Sequence, residues 1–211
     1  MRVAIFGTSG GTGGHLVTQG LAAGHTLVAL ARDPARVATA HDRLRVVQGD
    51  VYDPAAVEAV VDGSDGVVVS LTPTQGDHRG FFAAATDNIV TAMERSGTHR
   101  MVAISAAPLA PDGPDDTLPY RVLIKPLLRR FLRDLYTGME VMEQRLRDSD
   151  LQWTVLRPPR LTDKPATGRY RTAVNGTLRR GYLLSRADLA DAALAALSDV
   201  GTARATVGVG Y

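Results

Sequence analysis

The chain has 211 residues, of which 45% are hydrophobic and 22% are charged, as in one large globular domain or two small ones. A formal charge of +2 offers no overall attraction for nucleic acid or an anionic membrane. Because cysteine is absent, disulfides, thiolate catalysis and cysteine-ligated metals are excluded. The first apolar run stops at Gly7, and no run of about 18 apolar residues follows. We therefore expect a cytoplasmic protein without a membrane span.

The first half of the chain alternates short apolar runs with segments of helical periodicity. Strands are predicted at residues 3–6, 26–31, 44–48, 66–71 and 100–105. Helices are predicted at residues 15–23, 33–38, 54–61 and 81–96. Strands alternating with helices at this spacing predict a parallel sheet, and right-handed crossovers place helices on both of its faces.

The second half is less regular. Residues 107–119 are rich in proline and aspartate, which predicts a loop, and residues 120–147 have helical periodicity that Pro126 must start or kink. A sixth strand is predicted at 153–156, short strands and a hairpin turn at Asn175-Gly176 within 168–184, and a last strand at 205–209. Ser185 and Asp188 resemble a capping box opening a helix that runs to residue 196.

These elements predict a single α/β domain over residues 1–211, with a Rossmann-type, doubly wound fold. Its mainly parallel sheet should contain about six or seven strands, with helices on both faces. No internal repeat or long linker divides the chain.

A glycine-rich segment separates the first predicted strand from the first helix. Gly7, Gly10 and Gly13 have the spacing G-x-x-G-x-x-G, which allows a tight turn, close approach of a diphosphate, and exposure of helix N–H groups to its charge. The alternative is a glycine-rich turn that binds nothing, but the strand–turn–helix context favours a dinucleotide. The predicted contacts are the whole loop, namely Gly7, Thr8, Ser9, Gly10, Gly11, Thr12 and Gly13.

The residues that end the second strand bear on which dinucleotide is bound. An acidic residue there would bind the ribose hydroxyls of NAD, but Arg32 occupies this position and could pair with a 2′-phosphate. Asp33 precedes Pro34 and could be a helix cap. A solvated surface charge is the alternative for Arg32. We predict NADP(H) in preference to NAD(H).

Two further strand ends contribute candidate cofactor contacts. Asp50 could accept a hydrogen bond from the adenine amino group while Val51 packs on the ring; a turn with a capping aspartate explains the same residues equally well. Leu71 and Thr72 end the fourth strand at the carboxyl edge of the sheet, where ligands bind in open α/β folds.

The order of these motifs resembles the atypical short-chain dehydrogenase/reductases, and within them the NmrA-like NAD(P)H-binding branch that includes the flavin/biliverdin-IXβ reductase type. The resemblance extends to Ile104-Ser105-Ala106, Trp153–Pro158 and Ser185–Ala190. It implies that Ser105 polarises a bound carbonyl or ring, and that Pro158 and Pro159 shape the nicotinamide pocket. A small substrate-side region would be formed by residues 107–135 and 158–184.

The sequence departs from the superfamily's Tyr-x-x-x-Lys pair. Lys125 follows Tyr120 by five residues, and Tyr136 is followed at the expected spacing by Glu140. A carboxylate would raise the tyrosine pKa, which opposes an acid–base role near neutrality. Tyr136 is retained as the second catalytic candidate after Ser105, and Glu140 either faces the pocket or, as we favour, lies on a solvated helix face.

The remaining polar and amphipathic features have ordinary interpretations. No histidine has metal-ligand spacing, so no metal site is predicted, and Ser105 has no histidine partner that would suggest a hydrolase. The basic, leucine-rich segment 121–133 is interpreted as a surface helix with its apolar face in the core. An amphipathic lid, a homodimer helix and, more remotely, a membrane-surface helix are the alternatives.

The leading hypothesis is an NADPH-dependent oxidoreductase that transfers hydride to a small planar acceptor such as a flavin, quinone or carbonyl compound. With a flavin-like acceptor, solvent can supply the proton and no tyrosine acid is required. The alternative is a non-catalytic NADP(H)-binding redox sensor. An epimerase or isomerase of sugar nucleotides is less favoured, because little chain remains for a separate substrate domain.

Overall fold

A computed structural model describes residues 1–73, 76–110 and 117–211. The strands are β1 (Arg2–Phe6), β2 (Thr26–Ala31), β3 (Leu44–Gln48), β4 (Gly66–Val69), β5 (Arg100–Ile104), β6 (Gln152–Arg157), β7 (Arg160–Thr162), β8 (Arg171–Val174), β9 (Leu183–Ser185) and β10 (Ala205–Gly210). The helices are α1 (Gly11–Ala22), α2 (Pro54–Val61), α3 (His78–Ser96), α4 (Lys125–Phe131), α5 (Arg133–Asp148) and α6 (Arg186–Ser198).

The central sheet has the strand order β3-β2-β1-β4-β5-β6-β10-β8. All neighbours pair in parallel except β10 and β8, which are antiparallel. The predicted doubly wound, mainly parallel fold is confirmed. The described sheet has eight strands instead of six or seven, because β8 adds an antiparallel edge that the sequence pattern did not resolve. The chain reverses its direction of winding after β3, so the carboxyl ends of β1 and β4 flank the crevice where ligands bind in such sheets.

Alternating side chains of β1 divide the core into two layers. Ala4 and Phe6 belong to the cluster beneath α2, α3 and α5, whereas Val3 and Ile5 belong to the cluster beneath α1 and α6. Because both faces are covered by helices, β4 and all but the first residue of β1 and of β2 are apolar and buried, instead of alternating with polar residues. This arrangement fixes the direction in which each strand end presents its following loop.

The first half of the chain follows the sequence predictions, except that the bounds of three helical segments differ. Helix α1 begins at Gly11, four residues before the predicted start at His15, so half of the glycine segment is itself helical. The segment after Asp33 is a short 3-10 turn over Pro34–Arg36, and α3 begins at His78 with Asp77 as its cap. Gly138 permits the close packing of α5 on α3, since a Cβ there would lie 2.7 Å from the His78 carbonyl oxygen.

The second half departs further from the predictions. The single predicted helix over 120–147 is a π-helical turn at Tyr120–Ile124 followed by α4 and α5. Pro126 lies in the first turn of α4, so it starts a helix, which was one of the two predicted alternatives, and does not kink a longer one. A second break falls at Leu132. The hairpin predicted at Asn175-Gly176 is wrong: Asn175 does turn the chain with φ of 52°, but β8 pairs with β10 instead of with the segment that follows the turn. The predicted loop at 107–119 contains a 3-10 turn at Ala107–Leu109, and residues 111–116 lie outside the described ones.

The start of α6 is fixed by a buried carboxylate. The Ser185 hydroxyl accepts from the Asp188 N–H at 2.9 Å, which confirms the cap, but Asp188 does not complete a capping box. Instead it accepts hydrogen bonds from Thr167, Gly168 and the Tyr211 hydroxyl, and Tyr211 in turn accepts from the Ser185 N–H. Asp188 has no exposed surface. This network ties the C-terminal residue and the 167–168 loop to the first turn of α6.

No helix among the described residues is long and apolar enough to cross a membrane.

Candidate cofactor site

The glycine loop connects the end of β1 to the start of α1 and is shaped by close main-chain contacts. Gly7 has a φ of 98°, and a Cβ there would lie 2.2 Å from the Ser70 carbonyl oxygen. A Cβ on Gly13 would lie 2.1 Å from the Gly7 carbonyl oxygen. Glycine at positions 7 and 13 is therefore required by the fold itself, because Gly7 lies against Ser70, just after β4, and Gly13 of α1 lies against Gly7.

Gly10 is different, because no contact with the described residues requires a glycine there. Its backbone is extended, with φ of −83°, and the nearest atom to an added Cβ is the Gly7 carbonyl oxygen at an ordinary 3.5 Å. Gly10 is also the N-cap of α1, where no side chain caps the helix and no acidic residue lies in the first turn. The structure thus leaves an open cradle in front of the first N–H groups of α1, which fits a diphosphate.

The hydroxyl side chains of the loop point in different directions. Thr8 is buried, and its hydroxyl faces the Leu30 carbonyl oxygen at 3.5 Å. Thr12 is also buried, whereas Ser9 is exposed. Ser9 is therefore the hydroxyl of the three most accessible to a ligand. Contacts from all three to a diphosphate stay predictions.

Arg32 lies directly after β2, the neighbour of β1 in the sheet. Its side chain is exposed, as is required of a group that meets a ribose phosphate at the rim of a crevice. The adjacent Asp33 accepts from the Ala35 N–H at 3.1 Å and caps the 3-10 turn, so this carboxylate is engaged by the main chain. The arrangement leaves Arg32 as the charged group presented at this strand end.

In the loop after β3, Asp50 forms a turn and is also exposed enough to contact a ligand, so both interpretations of this residue stay open. Asp50 accepts from the Tyr52 N–H at 3.1 Å as a turn-forming residue, yet it stays partly exposed. Val51 is 5% exposed and belongs to the core, so little of its surface is available to an adenine ring. Asn88, which the sequence analysis did not single out, donates to the Val51 carbonyl oxygen at 2.9 Å and fixes this loop to α3.

Leu71 and Thr72 follow β4 at the edge beside the glycine loop. Leu71 is partly buried and packs against the core, and Thr72 is exposed. The strand ends two residues earlier than predicted, at Val69, so both residues belong to the connection that leaves the sheet. Their placement next to Gly7, whose neighbour is Ser70, is that of residues able to line a bound dinucleotide.

Ser105 lies at the end of β5, but its hydroxyl is already engaged. It donates to Glu143 of α5 at 2.7 Å, and Ser105 is only 3% exposed. Glu143 is 2% exposed and also accepts from Arg157 and Arg147. A buried carboxylate needs such partners because an unpaired charge in the core is strongly unfavourable. Glu143 was missed by the sequence analysis, which weighed Glu140 one turn earlier; Glu140 is exposed, as favoured.

Neither tyrosine candidate is followed by a lysine at the Tyr-x-x-x-Lys spacing of the superfamily. Tyr136 is 7% exposed and lies in the core among α3 and α5 residues, where burial raises its pKa although Arg129 partly opposes the shift. Its catalytic role stays a prediction. Lys125 is buried, and its ammonium donates to the Ala110 carbonyl oxygen at 2.6 Å. Pro158 is buried beside this region, and its carbonyl oxygen accepts from the Ala107 N–H at 2.8 Å.

Residues from both predicted substrate-side segments meet at this end of the sheet. The Thr117 hydroxyl and the Tyr182 hydroxyl are 2.7 Å apart, and the rings of Tyr120 and Tyr182 are 5.6 Å apart. Arg129 donates to the Pro108 carbonyl oxygen at 3.0 Å. Together these segments surround a small cavity lined by Ala107, Tyr120, Arg157, Leu178, Tyr182 and Val209.

The interpretation of residues 121–133 as a helix with its apolar face in the core is wrong. The large apolar side chains that are exposed in this segment are Val122, Leu123, Ile124, Leu127, Phe131 and Leu132. Among the apolar residues there, Leu128 packs against the core. The segment is divided between a π-helical turn and α4 and breaks at Leu132, so it does not present a single continuous face to the sheet. It therefore forms an exposed apolar rim in the region predicted to lie on the substrate side.

In the described ranges, no three histidine, aspartate or glutamate side chains are grouped so that they could hold a metal ion.

Comparison with known proteins identifies the family to which the chain belongs. A family model described as NAD(P)H-binding matches residues 7–200, from the glycine loop through α6. The 3β-hydroxysteroid dehydrogenase/Δ5→4-isomerase of Mycobacterium tuberculosis is 32% identical over 161 residues. That alignment covers 68% of this chain but 41% of the relative, so the chain spans less than half the length of that enzyme.

Solved structures share the fold over nearly the whole chain. A short-chain dehydrogenase/reductase (wide type) from Veillonella parvula, in complex with NADP, has a TM-score of 0.80 at 22% identity and covers 100% of this chain and 94% of its own. ChuY, an anaerobillin reductase from Escherichia coli O157:H7, has a TM-score of 0.75 at 20% identity, with coverages of 99% and 96%. The resemblance inferred from the motifs is confirmed: the chain belongs to the NAD(P)H-binding family, and the proteins to which it is similar include dehydrogenases and reductases.

Proposed function

We propose that the protein is an NADPH-dependent oxidoreductase that reduces a small planar acceptor such as a flavin, a quinone or a carbonyl compound. The observation that carries the proposal is the cradle at Gly10, which is open although the fold does not need a glycine there. The nicotinamide ring of the bound dinucleotide supplies the hydride. The protein's own part is to bind, orient and exclude water.

Preference for NADPH over NADH rests on Arg32. A guanidinium pairs with a phosphate through two parallel hydrogen bonds, which the neutral ribose hydroxyl of NADH cannot reproduce. Since Asp33 is engaged in its own turn, it does not offset this attraction by pairing with the same arginine. The V. parvula relative binds NADP, which supports the choice by analogy alone.

The acceptor would occupy the substrate-side region formed by residues 107–135 and 158–184. Its rim carries exposed apolar side chains from residues 122–132, and two tyrosine rings line the adjacent cavity. Such a surface favours a planar, largely apolar acceptor over a charged sugar nucleotide. Location in the cytoplasm is part of the proposal and rests on the absence of cysteine.

Ser105 has a limited role in this proposal. Its proton is donated to Glu143, so it could polarise an acceptor only by exchanging that partner. We therefore assign the final proton to solvent when the acceptor is flavin-like. A carbonyl acceptor, which needs a proton donor at the reacting oxygen, would be the slower substrate.

The alternative is a non-catalytic NADP(H) sensor, and the engaged Ser105 hydroxyl favours it. The two are separated by following NADPH oxidation at 340 nm with a panel of flavins, quinones and aldehydes. Turnover with any acceptor, lost in a Gly10→Val variant, supports the oxidoreductase. Tight NADPH binding without turnover on the whole panel supports the sensor, and failure to bind either pyridine nucleotide rejects both.

A further inference from the structure

An arginine outside the glycine loop lies directly on it. Arg186 is the first residue of α6, and its side chain covers Gly11, the first residue of α1. A Cβ on Gly11 would lie 2.7 Å from Cδ and 3.0 Å from Nε of Arg186. The absence of a side chain at position 11 therefore allows this guanidinium to reach the edge of the cradle.

The guanidinium is paired with a carboxylate that is almost wholly in solvent. Arg186 donates to Asp163 at 2.6 Å. The Asp163 side chain is 87% exposed and that of Arg186 is 31% exposed. An ion pair this open is weak, because water screens it and two flexible side chains must be ordered. A second anion could displace Asp163 at low cost.

The position is an unusual one for a cation. The N-terminal end of a helix carries a partial positive charge, and Arg186 lies at the first turn of α6 and against the first turn of α1. The first turn of α1 has no acidic residue. Asp188, in the first turn of α6, is fully buried and engaged by Thr167, Gly168 and Tyr211. A guanidinium and two helix N-termini thus lie together beside the cradle, and Asp163 is the exposed carboxylate that pairs with the guanidinium.

Rigid contacts hold Arg186 in this place. The Ser185 cap fixes the beginning of α6, and Gln19 of α1 donates to the Ala187 carbonyl oxygen at 2.9 Å. The start of α6 is therefore held by its own cap and by a hydrogen bond from the second half of α1. Its guanidinium can turn between Asp163 and the loop without movement of either helix.

We propose that Arg186 is a further cofactor-binding residue, which pairs with the diphosphate of the dinucleotide, and that Asp163 holds it until the dinucleotide arrives. The inference rests on the proposed function, in that the loop must bind a dinucleotide. The diphosphate is common to NADH and NADPH, so loss of Arg186 weakens both equally. Arg32, by contrast, acts on the 2′-phosphate alone.

The test is the affinity of Arg186→Gln, Arg186→Lys and Asp163→Asn for NADH and NADPH, measured by fluorescence and calorimetry. We expect Arg186→Gln to weaken both by roughly 10- to 100-fold, as for one charge-assisted hydrogen bond. Arg186→Lys should recover part of this loss. Asp163→Asn should tighten both several-fold, because the guanidinium is released. Arg95→Gln, on the far edge of α3 and 69% exposed, is the matched control and should change neither.

Each result bears on the inference. Wild-type binding that Arg186→Gln leaves within twofold, or a loss confined to NADPH, overturns the role of Arg186 while the proposed function stands. Wild-type protein that binds neither nucleotide rejects the proposed function as well. If Arg186→Gln does not fold, as judged by circular dichroism, Asp163→Asn decides, since this exposed substitution is harmless to the fold and its failure to tighten binding also overturns the inference.

Discussion

The two ends of the crevice are built in opposite ways. At the glycine loop, the groups presented to a ligand are main-chain N–H groups at the start of α1, with no side chain capping them. At the end of β5, the polar groups are side chains, and Ser105, Glu143 and Arg157 satisfy one another in a buried network. At the open end, no side chain caps the N–H groups of α1. At the closed end, the polar side chains are hydrogen-bonded to one another.

The difference separates binding from chemistry. An open main-chain cradle is strongly favourable only when an anion fills it, so its purpose can be inferred from the fold. A closed network is already stable without a ligand, so it stabilises the fold and binds a ligand only by exchanging its own partners. Variants that close the first end or open the second test this contrast directly.

Closing the cradle should have the largest effect. In Gly10→Val, the new Cβ would lie at an ordinary 3.5 Å from the Gly7 carbonyl oxygen, its one close neighbour among the described residues, so we expect folding to be retained. The side chain occupies the space of the diphosphate, and loss of two or more charge-assisted hydrogen bonds weakens NADPH binding by roughly 100-fold or more. Calorimetry with NADPH measures the loss.

Gly14→Ala is the matched control for this experiment. No atom lies within 4 Å of an added Cβ at Gly14, one turn further along α1. Alanine in place of a helical glycine should raise stability by about 0.5–1 kcal/mol and leave NADPH affinity unchanged. Equal binding by Gly10→Val and Gly14→Ala would show that the cradle does not hold the diphosphate.

Opening the closed network should reduce stability instead of binding. Glu143→Ala leaves Arg157 buried, with 10% of its side chain exposed, and without its carboxylate. Breaking such a pair from one side costs about 3–5 kcal/mol of unfolding free energy. Urea denaturation measures the change, and Glu140→Ala on the exposed face of the same helix should cost less than about 0.5 kcal/mol. A small effect at Glu143 would mean that the network is not complete in the folded protein.

The contrast also explains which features of the structure could be predicted from the sequence. Glycine spacing, apolar strands and helix caps are local signals, and from them the parallel sheet and the cradle were predicted. The contacts of Glu143 with Ser105 and of Asn88 with Val51 could not be found in this way, because these pairs are 38 and 37 residues apart in the chain. The exposed rim at 122–132 was misassigned because its periodicity suits a core helix, and periodicity does not report a break such as that at Leu132.

Asp188 stabilises the start of α6, and the free energy of unfolding should therefore depend on pH. Burial alone would raise the pKa of this carboxyl, but hydrogen bonds from Tyr211, Gly168 and Thr167 outweigh it and lower the pKa from 3.8 to about 2. Because the folded pKa lies below the unfolded one, the stabilisation is complete above pH 4 and is lost as pH falls towards 2. It amounts to about 2 kcal/mol.

The check is urea unfolding of the wild type and Asp188→Asn at pH 5 and pH 2.5. The difference in unfolding free energy between the two proteins should shrink by about 1.5 kcal/mol at the lower pH, because pH 2.5 still lies above the folded pKa. A difference that is the same at both values would mean that the Asp188 carboxylate is not stabilised by its hydrogen bonds. Tyr211→Phe removes one of those bonds and should show a smaller pH dependence of the same sign.

The finest test of the open end is the choice between two cofactors, which depends on a single exposed side chain. Arg32→Gln keeps a polar, shorter side chain but removes the charge that would pair with a 2′-phosphate. The exposed setting limits the gain from this contact, so we expect NADPH affinity to fall about tenfold, or about 1.4 kcal/mol. NADH affinity should stay within a factor of two, because its ribose carries no phosphate at that position. Parallel titrations with both nucleotides separate this result from that at Arg186, where both affinities fall together. If Arg32→Gln weakened NADH and NADPH equally, the end of β2 would not be the place where the two cofactors are told apart.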